Sequence, residues 1–251
     1  MSGKGIENPA ALCYLIAPVQ QLLHMAEVKS QLLTDDVVMS EETKLLQVLK
    51  NRLLIIENEE ESDGNTAKRV YREFYGNSTE NINIQRDSSE FFSELVGRLC
   101  KEFKLVGEEE SVNSLLVGQL VNTLVTAAGQ GDTSSSQQHR IDKYERFFSV
   151  SVSVDPTDGK YTLESALRDF TREDTIPFRW PTDPSPNPEQ ESNCGALRNT
   201  ALGPPVPTVK TTKFKVLPQY LTFHLKRFFF DTRLMRKVKL HHRFEFPVEL
   251  D

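Results

Sequence analysis

Apolar residues in the first part of the chain recur at helical spacing. The strongest pattern predicts a helix over Ser88–Phe103, where six apolar residues form a single stripe. A second stripe predicts a helix over Ser40–Ile56, and each of these two helices begins with a serine that can cap it. Shorter patterns predict helices over Leu15–Met25 and Lys68–Tyr75. The chain is therefore expected to begin with a helical region.

From Leu115 onward the pattern changes to alternation with many β-branched residues, which is typical of strands. The predicted strands are Leu115–Thr126, Tyr144–Val154, Phe214–Val216, Tyr220–Phe230 and Val238–Phe246. A short helix, Leu163–Phe170, is expected between them with Thr162 as its cap. Most prolines fall in Pro177–Pro207, so a loop without a compact element is expected over 177–210.

Helices first and strands later indicate an α+β fold. The expected division is a helical part over 1–114 and a β part over 115–251, with an antiparallel sheet and a cleft shared by the two parts. The length of 251 residues and the apolar content of 38% are enough for a packed core in most of the chain.

Charge and apolar runs exclude some classes of partner. The net charge is −6 with both signs interspersed, whereas a nucleic-acid binder would present a basic face. No apolar segment resembling a signal peptide precedes Cys13, and no run approaches the ~18 apolar residues of a membrane span. We therefore expect neither a nucleic-acid partner nor a membrane partner.

The cysteines indicate a reducing compartment. Cys13, Cys100 and Cys194 are odd in number and widely separated, unlike a disulfide framework. Structural zinc usually requires a close Cys-x-x-Cys pair, and the sequence contains none. We expect no metal or other cofactor, and a location in the cytoplasm, the nucleus or both.

Cys13 has the surroundings of a nucleophile. It precedes a predicted helix, and the free N–H groups and dipole at a helix start favour the thiolate, which is the form that attacks a carbonyl carbon. Asn8, five residues earlier, carries an amide that can donate to a developing oxyanion. Most free cysteines are inert core residues, and for Cys13 taken alone this second interpretation is favoured.

Two further segments have patterns that allow either a functional or a purely structural interpretation. Gln85–Phe92 opens the strongest predicted helix, with Asp87 placed to complement the helix dipole, although a capping sequence alone explains it. In Leu217–Phe228, apolar residues alternate with polar ones that include His224, and an ordinary half-buried strand explains that pattern as well.

Taken together, four blocks in order resemble the ubiquitin-specific proteases, which are papain-like cysteine deubiquitinases. The blocks are Gly5 and Asn8 with Cys13-Tyr14 and Gln20, then Gln85–Phe92, then Tyr161–Leu167, and last Leu217–Asp231 continued by Phe244–Asp251. They extend over nearly the whole chain, and the fourth is most similar to the very large members of the family.

The resemblance implies a fold and a reaction. The fold would have a helical thumb over 1–114 and antiparallel β fingers and palm over 115–251. Cys13 would be the nucleophile and Asn8 the oxyanion donor. The implied activity is thiol-dependent hydrolysis after the C-terminal glycine of ubiquitin, and the implied partners are ubiquitin and ubiquitinated proteins.

The resemblance also implies a channel for the extended, basic C-terminal tail of ubiquitin. Gln85 and Asp87 would lie along the channel, with Arg227, Phe228 and Phe230 on its other wall. A narrow channel with a carboxylate and aromatic walls suits a basic tail that ends in two glycines.

One departure from the family concerns the catalytic histidine. In the family it lies in a block beyond the segment that matches Phe244–Asp251, so we expect the catalytic domain to be incomplete at its C-terminal side. The five histidines of the sequence, for which structural or surface roles are expected, are His24, His139, His224, His241 and His242. Without its base, a thiol loses its activator, so the chain alone is expected to be inactive. An inactive ubiquitin-binding or scaffold module of the same fold is the alternative.

Overall fold

The computed structural model of the protein describes residues 5–34, 40–58, 65–77, 81–126, 139–155, 159–181 and 202–250. These residues contain both helices and sheets, as the α+β expectation requires. The chain divides into two compact units. The first comprises Met1–Gly118 and Pro218–Thr222, and the second comprises Gln119–Leu217 and Phe223–Asp251.

Among the described residues, the first unit is helical. Its helices are α1 (Cys13–His24), α2 (Ala26–Leu33), α3 (Lys44–Glu57), α4 (Thr66–Tyr75), α5 (Ser88–Leu105) and α6 (Glu109–Leu116). Their apolar faces meet in a core where Leu15, Leu45 and Leu95 are at most 1% exposed. Burying one such side chain contributes about 1.5–3 kcal/mol. None of the helices in the described part of the chain is both long enough and apolar enough to cross a membrane.

A buried carboxylate ties α5 to the start of α3. The Glu102 side chain is almost fully buried, and its Oε2 accepts a hydrogen bond from the backbone N–H of Leu46 at 3.0 Å. Its Oε1 lies 2.6 Å from Nε of Arg98, one turn earlier on α5. Leu46 lies in the first turn of α3, where N–H groups lack helical partners and attract negative charge. Glu102 therefore acts as a cap supplied from another helix.

The caps of the two long helices differ from expectation. α3 begins at Lys44, four residues after the predicted Ser40, because Ser40 and Thr43 bond to each other in a turn that precedes the helix. α5 begins at Ser88 as predicted, but its cap is Asp87. The residue before a helix can reach the free N–H groups of the first turn, whereas the first helical residue cannot.

α6 is absent from the sequence prediction, which placed Leu115 in a strand. Leu115 and Leu116 are buried at the end of α6, and the first strand begins only at Gly118. Most residues of α6 are polar and the helix has no long apolar stripe, so the sequence around Leu115 resembles the start of the following strand.

The second unit is mainly β-structure. Its strands are β1 (Gly118–Thr126), β2 (Arg140–Phe147), β3 (Val150–Ser153), β4 (Asp174–Pro181), β5 (Leu202–Val216), β6 (Phe223–Lys226), β7 (Phe228–Asp231) and β8 (Arg236–Lys239). Four of them form a sheet in the order β2-β1-β5-β4, and β7 and β8 form an antiparallel hairpin. The pairs β1–β5, β4–β5 and β7–β8 are antiparallel, as expected, whereas β3 and β6 form a separate pair that is parallel.

Helix α7 (Leu163–Thr171) packs on the described strands of this unit. As predicted, it is capped by Thr162, whose hydroxyl oxygen accepts from the N–H of Ser165 at 3.3 Å. Phe170 at its end stacks on Phe214 of β5, with ring centroids 5.7 Å apart. This contact places the end of α7 against β5 of the four-stranded sheet.

The proline-rich stretch departs most from expectation, because both of its ends are strands. β4 and β5 pair antiparallel, and Pro177 lies opposite Pro207. β4 is the edge strand of the described sheet, and the paired segment of β5 that faces β1 begins only at Thr208. Proline is tolerated where a strand needs no N–H donor, so both placements are compatible with a sheet. Residues 182–201 of this stretch lie outside the described residues.

Three predicted strands are shorter or divided. The Tyr144–Val154 strand divides into β2 and β3, and the Val238–Phe246 strand ends at Lys239. The Tyr220–Phe230 strand begins only at Phe223, because the preceding residues bond to the first unit instead. There the N–H groups of Gln219 and Tyr220 donate to the carbonyls of Ser114 and Leu115 at 3.0 and 2.9 Å.

Side chains reinforce this attachment of 218–222 to the helices. The Gln219 amide donates to Oε1 of Glu27 on α2 at 2.9 Å, and the Tyr220 hydroxyl donates to Oε2 of the same carboxylate. The hydrogen bond from Tyr220 holds the pKa of Glu27 below its usual value of 4.5, and the same bond raises the pKa of Tyr220. The ionised carboxylate and the neutral phenol therefore stabilise each other.

We predict that acid destabilises the protein partly through Glu27. Because its pKa is lower in the folded state, its stabilising effect is present above the unfolded pKa and is lost as pH falls through the folded pKa. Urea unfolding between about pH 6 and pH 3 should show a steeper loss of stability for the wild type than for Glu27→Gln. Parallel curves for the two proteins would contradict this role of Glu27.

Candidate functional site

Cys13 is the first residue of α1, and its side chain is exposed. The first turn closes around Leu12, whose carbonyl accepts hydrogen bonds from the N–H groups of Leu15 and Ile16 at 3.1 and 3.0 Å. Leu12 itself is fully buried, which fixes the start of the helix against the core. The thiol therefore stands at a helix N-terminus where another molecule can reach it.

Asn8 is held close to this turn by its own side chain. Its Oδ1 accepts a hydrogen bond from the backbone N–H of Leu12 at 3.1 Å. The bond restrains the amide of Asn8 to the residue next to Cys13 and uses its oxygen. The side-chain NH₂ group is then the part of Asn8 with the chemistry to donate to an oxyanion.

Arg52 anchors the other end of the segment that carries Asn8. This residue of α3 is only 1% exposed, and its Nη2 donates to the backbone carbonyl of Gly5 at 2.9 Å. Sequence reasoning missed it. The available signal was its position, because Arg52 lies beside Leu49 and Leu53 in the apolar stripe of α3. A cation in such a stripe must find polar partners inside the protein.

Gln85, Arg86 and Asp87 form an exposed segment that leads into α5. The Asp87 carboxylate accepts hydrogen bonds from the N–H groups of Ser89 and Glu90 at 2.7 and 3.2 Å. Asp87 therefore caps α5, which is the structural alternative that its sequence position allows. The role of Gln85 and Asp87 in a tail channel stays a prediction.

The other three predicted channel residues lie in or next to β7, in the second unit. Arg227 donates from Nη1 to the backbone carbonyls of Leu240 and His242 at 3.4 and 3.1 Å, so this side chain supports its own unit. Phe228 and Phe230 are 64% and 53% exposed and share one face of the strand. Their exposure leaves both rings available to a ligand, and their channel role stays a prediction.

The histidines make contacts of a structural kind. His24 lies at the opposite end of α1 from Cys13 and contacts the carbonyl of Gln20 at 2.6 Å. His241 is exposed. His139 lies against Trp180 with ring centroids 5.6 Å apart. His224 Nδ1 lies 3.1 Å from the hydroxyl oxygen of Ser151, and His242 Nε2 lies 2.8 Å from the Val154 carbonyl oxygen. In the described part of the chain, no group of three His, Cys, Asp or Glu side chains is placed to hold a metal ion.

A depression of about 590 Å³ lies on one face of the four-stranded sheet, and its lining includes none of the predicted site residues. Asp142 in its wall accepts a hydrogen bond from Thr123 at 2.6 Å and is paired with Arg140 at 3.0 Å. The hydrogen bond from Thr123 is the main cause that holds the pKa of Asp142 below its usual value. Lys215 stands 3.9 Å from the ring centroid of Tyr144 on the same face. These contacts pair most of the charges that line the depression.

Comparison with known proteins points to one family. Residues 4–251 match the family model described as ubiquitin carboxyl-terminal hydrolase. Ubiquitin carboxyl-terminal hydrolase 34 of Homo sapiens is 28% identical over 253 residues, covering 98% of this chain and 6% of that protein. Ubiquitin carboxyl-terminal hydrolase 24 of Mus musculus is 25% identical over 253 residues, covering 97% and 8%. The chain thus spans less than a tenth of the length of these two relatives.

A solved structure supports the fold. A chain in the structure of the SAGA Ubp8/Sgf11/Sus1/Sgf73 DUB module bound to ubiquitin aldehyde superposes with a TM-score of 0.68. The match covers 97% of this chain and 51% of that chain at 16% sequence identity. At this identity the likeness concerns architecture, and it agrees with the α+β, papain-like fold that the motifs imply.

We predict that Cys13 reacts with iodoacetamide much faster than Cys100 in the folded protein. Cys13 is exposed at a helix start, whereas Cys100 is 8% exposed within α5. Peptide mass spectrometry after short exposures measures both rates, and the unfolded protein in urea serves as the control in which the difference should vanish. Equal rates in the folded protein would show that Cys13 is shielded.

A second prediction concerns the cap of α5. Asp87→Ala removes the acceptor for two N–H groups and should lower the free energy of unfolding by about 1 kcal/mol. Asp87→Asn keeps an acceptor oxygen and should retain most of that stability. Denaturant unfolding of the three proteins measures the effect, and an equal loss in both variants would show that the charge rather than the cap matters.

Proposed function

The chain belongs to the ubiquitin carboxyl-terminal hydrolase family, and we propose that it carries the nucleophile of a cysteine deubiquitinase. The reaction would be hydrolysis of the bond after the C-terminal glycine of ubiquitin in a protein conjugate. The observation that carries the proposal is the exposed Cys13 at the start of α1, with the Asn8 side chain bonded to the residue beside it.

In the proposed reaction, the Cys13 thiolate attacks the carbonyl carbon of the ubiquitin glycine. The carbonyl oxygen becomes an oxyanion, and the NH₂ group of Asn8 donates to it. Collapse of this intermediate expels the lysine amine and leaves a thioester that water then hydrolyses. The departing amine needs a proton from a general acid, a role that histidine fills most often in enzymes.

The residues proposed to bind the ubiquitin tail are Gln85, Asp87, Arg227, Phe228 and Phe230. Gln85 and Asp87 offer an amide and a carboxylate on an exposed segment, and the carboxylate suits a basic tail. Phe228 and Phe230 offer exposed aromatic faces. Arg227 would contribute to the tail site by holding the backbone at Leu240 and His242.

The proposed partners are ubiquitin and ubiquitinated proteins, without nucleic acid or membrane. The interspersed charges and the absence of long apolar runs in the sequence support this choice. We propose the cytoplasm, the nucleus or both as the location, because the scattered cysteines suit a reducing compartment.

We predict that ubiquitin with a C-terminal aldehyde binds the chain more tightly than unmodified ubiquitin, by adding to Cys13 as a hemithioacetal. The addition creates a tetrahedral carbon whose oxygen accepts a hydrogen bond from Asn8. Asn8→Ala should therefore weaken aldehyde binding by about tenfold to a hundredfold and leave the binding of unmodified ubiquitin unchanged. Cys13→Ala, as the matched control, should reduce the aldehyde to the affinity of unmodified ubiquitin.

Isothermal titration or fluorescence anisotropy measures both ligands on all three proteins. If the folded chain binds neither ligand, the proposal is wrong. Equal affinity for both ligands, independent of Cys13, would instead support the alternative of a ubiquitin-binding module without a functional nucleophile.

A further inference from the structure

A cluster of five aromatic side chains joins three helices of the first unit. The cluster consists of Tyr14 on α1, Tyr71, Phe74 and Tyr75 on α4, and Phe91 on α5. Its ring centroids lie 5.0 Å apart for Phe74 and Phe91, 5.0 Å for Tyr71 and Tyr75, and 5.6 Å for Tyr14 and Phe91. These separations are typical of favourable aromatic pairs. The cluster therefore fixes α4 and α5 relative to the helix that begins with Cys13.

Arg86 attaches the exposed segment 85–87 to this cluster. Its guanidinium carbon stands 4.2 Å from the ring centroid of Tyr75, within the distance at which a cation is attracted to an aromatic face. Arg86 is exposed, whereas Tyr75 is half-buried among the other rings. Together with the hydrogen bonds of Asp87 to Ser89 and Glu90, this contact restrains the segment at two successive residues.

We propose that Arg86 is a positioning residue that holds Gln85 and Asp87 in the conformation that binds the ubiquitin tail. The inference rests on the proposed function, since it assigns a role within the same tail channel. A ligand binds more weakly when only a fraction of the protein has the competent conformation, so loss of the stack should lower the apparent affinity. At a partly exposed site, the loss expected from one such contact is about twofold to fivefold.

Charge favours positioning over direct contact with the substrate. The ubiquitin tail is basic, and a second cation facing it would repel it. Stacking on Tyr75 gives the guanidinium another partner, while Asp87 next to it carries the opposite charge that the tail requires.

A double-mutant cycle distinguishes the two roles. Arg86→Met keeps an unbranched stem of similar length to the aliphatic part of arginine but removes the guanidinium, and Tyr75→Leu removes the ring. Each substitution should lower the affinity for ubiquitin about twofold to fivefold. The double variant should bind ubiquitin no more weakly than the single variant with the lower affinity, because both substitutions remove the same contact. Tyr75→Phe retains an aromatic face and should bind like the wild type, which separates loss of the stack from loss of the hydroxyl.

A second measurement follows the segment without ubiquitin. Amide hydrogen exchange of residues 85–87 in the free chain should accelerate equally in Arg86→Met and Tyr75→Leu, while exchange in the middle of α5 stays unchanged. General unfolding would accelerate both regions and would overturn a local positioning role. Unaltered exchange at 85–87 would overturn it as well.

The outcomes separate the inference from the proposed function. If the wild-type chain does not bind ubiquitin, both fail together. If the wild type binds ubiquitin but Tyr75→Leu leaves the affinity unchanged, Arg86 does not act through Tyr75. If the losses of affinity in Arg86→Met and Tyr75→Leu add in the double variant, the two residues act independently. The positioning role alone is then wrong.

Discussion

The burial of one face of α1 determines where the candidate nucleophile lies. Leu15, Val19 and Leu22 are each about 1% exposed, and they turn that face of the helix into the core of the first unit. Cys13 and Ala17 remain on the exposed side, at and near the start of the helix. An exposed thiol at a helix N-terminus is thus a direct consequence of the hydrophobic packing of its neighbours. The surrounding site depends on this placement, because Asn8 is bonded to the residue that precedes Cys13.

Two buried charged side chains support the same region by bonding to backbone groups. Arg52 donates to the Gly5 carbonyl at the start of the segment that carries Asn8, and Glu102 accepts from Leu46 in the first turn of α3. A buried charge is costly unless it is hydrogen-bonded, so each restricts the backbone to conformations that satisfy it. Because α3 carries Arg52, the contact between Glu102 and Leu46 also helps to place the Arg52 guanidinium.

Sequence patterns were most accurate where one element contains its own signal. The apolar stripe of α5 and the polar residues before it predicted the helix start at Ser88, and Thr162 was correctly assigned as the cap of α7. The sequence patterns were wrong where contacts with another segment determine the local structure. Pro177 and Pro207 suggested a loop, yet each lies where its missing N–H is not needed. Tyr220 begins a segment whose composition is typical of a strand, but its N–H donates to the carbonyl of Leu115 in the first unit.

The sequence by itself determined that Cys13 lies at a helix N-terminus, that Asn8 lies five residues before it, and that the chain is α+β, because these features follow from local spacing. Its ordered blocks also indicated the family. Only the tertiary structure decided that Arg52 holds Gly5, that Glu27 binds Tyr220, and that Arg86 stacks on Tyr75. The partners in the first two contacts are 47 and 193 residues apart. The choice of such partners depends on how the helices pack, which local periodicity does not encode.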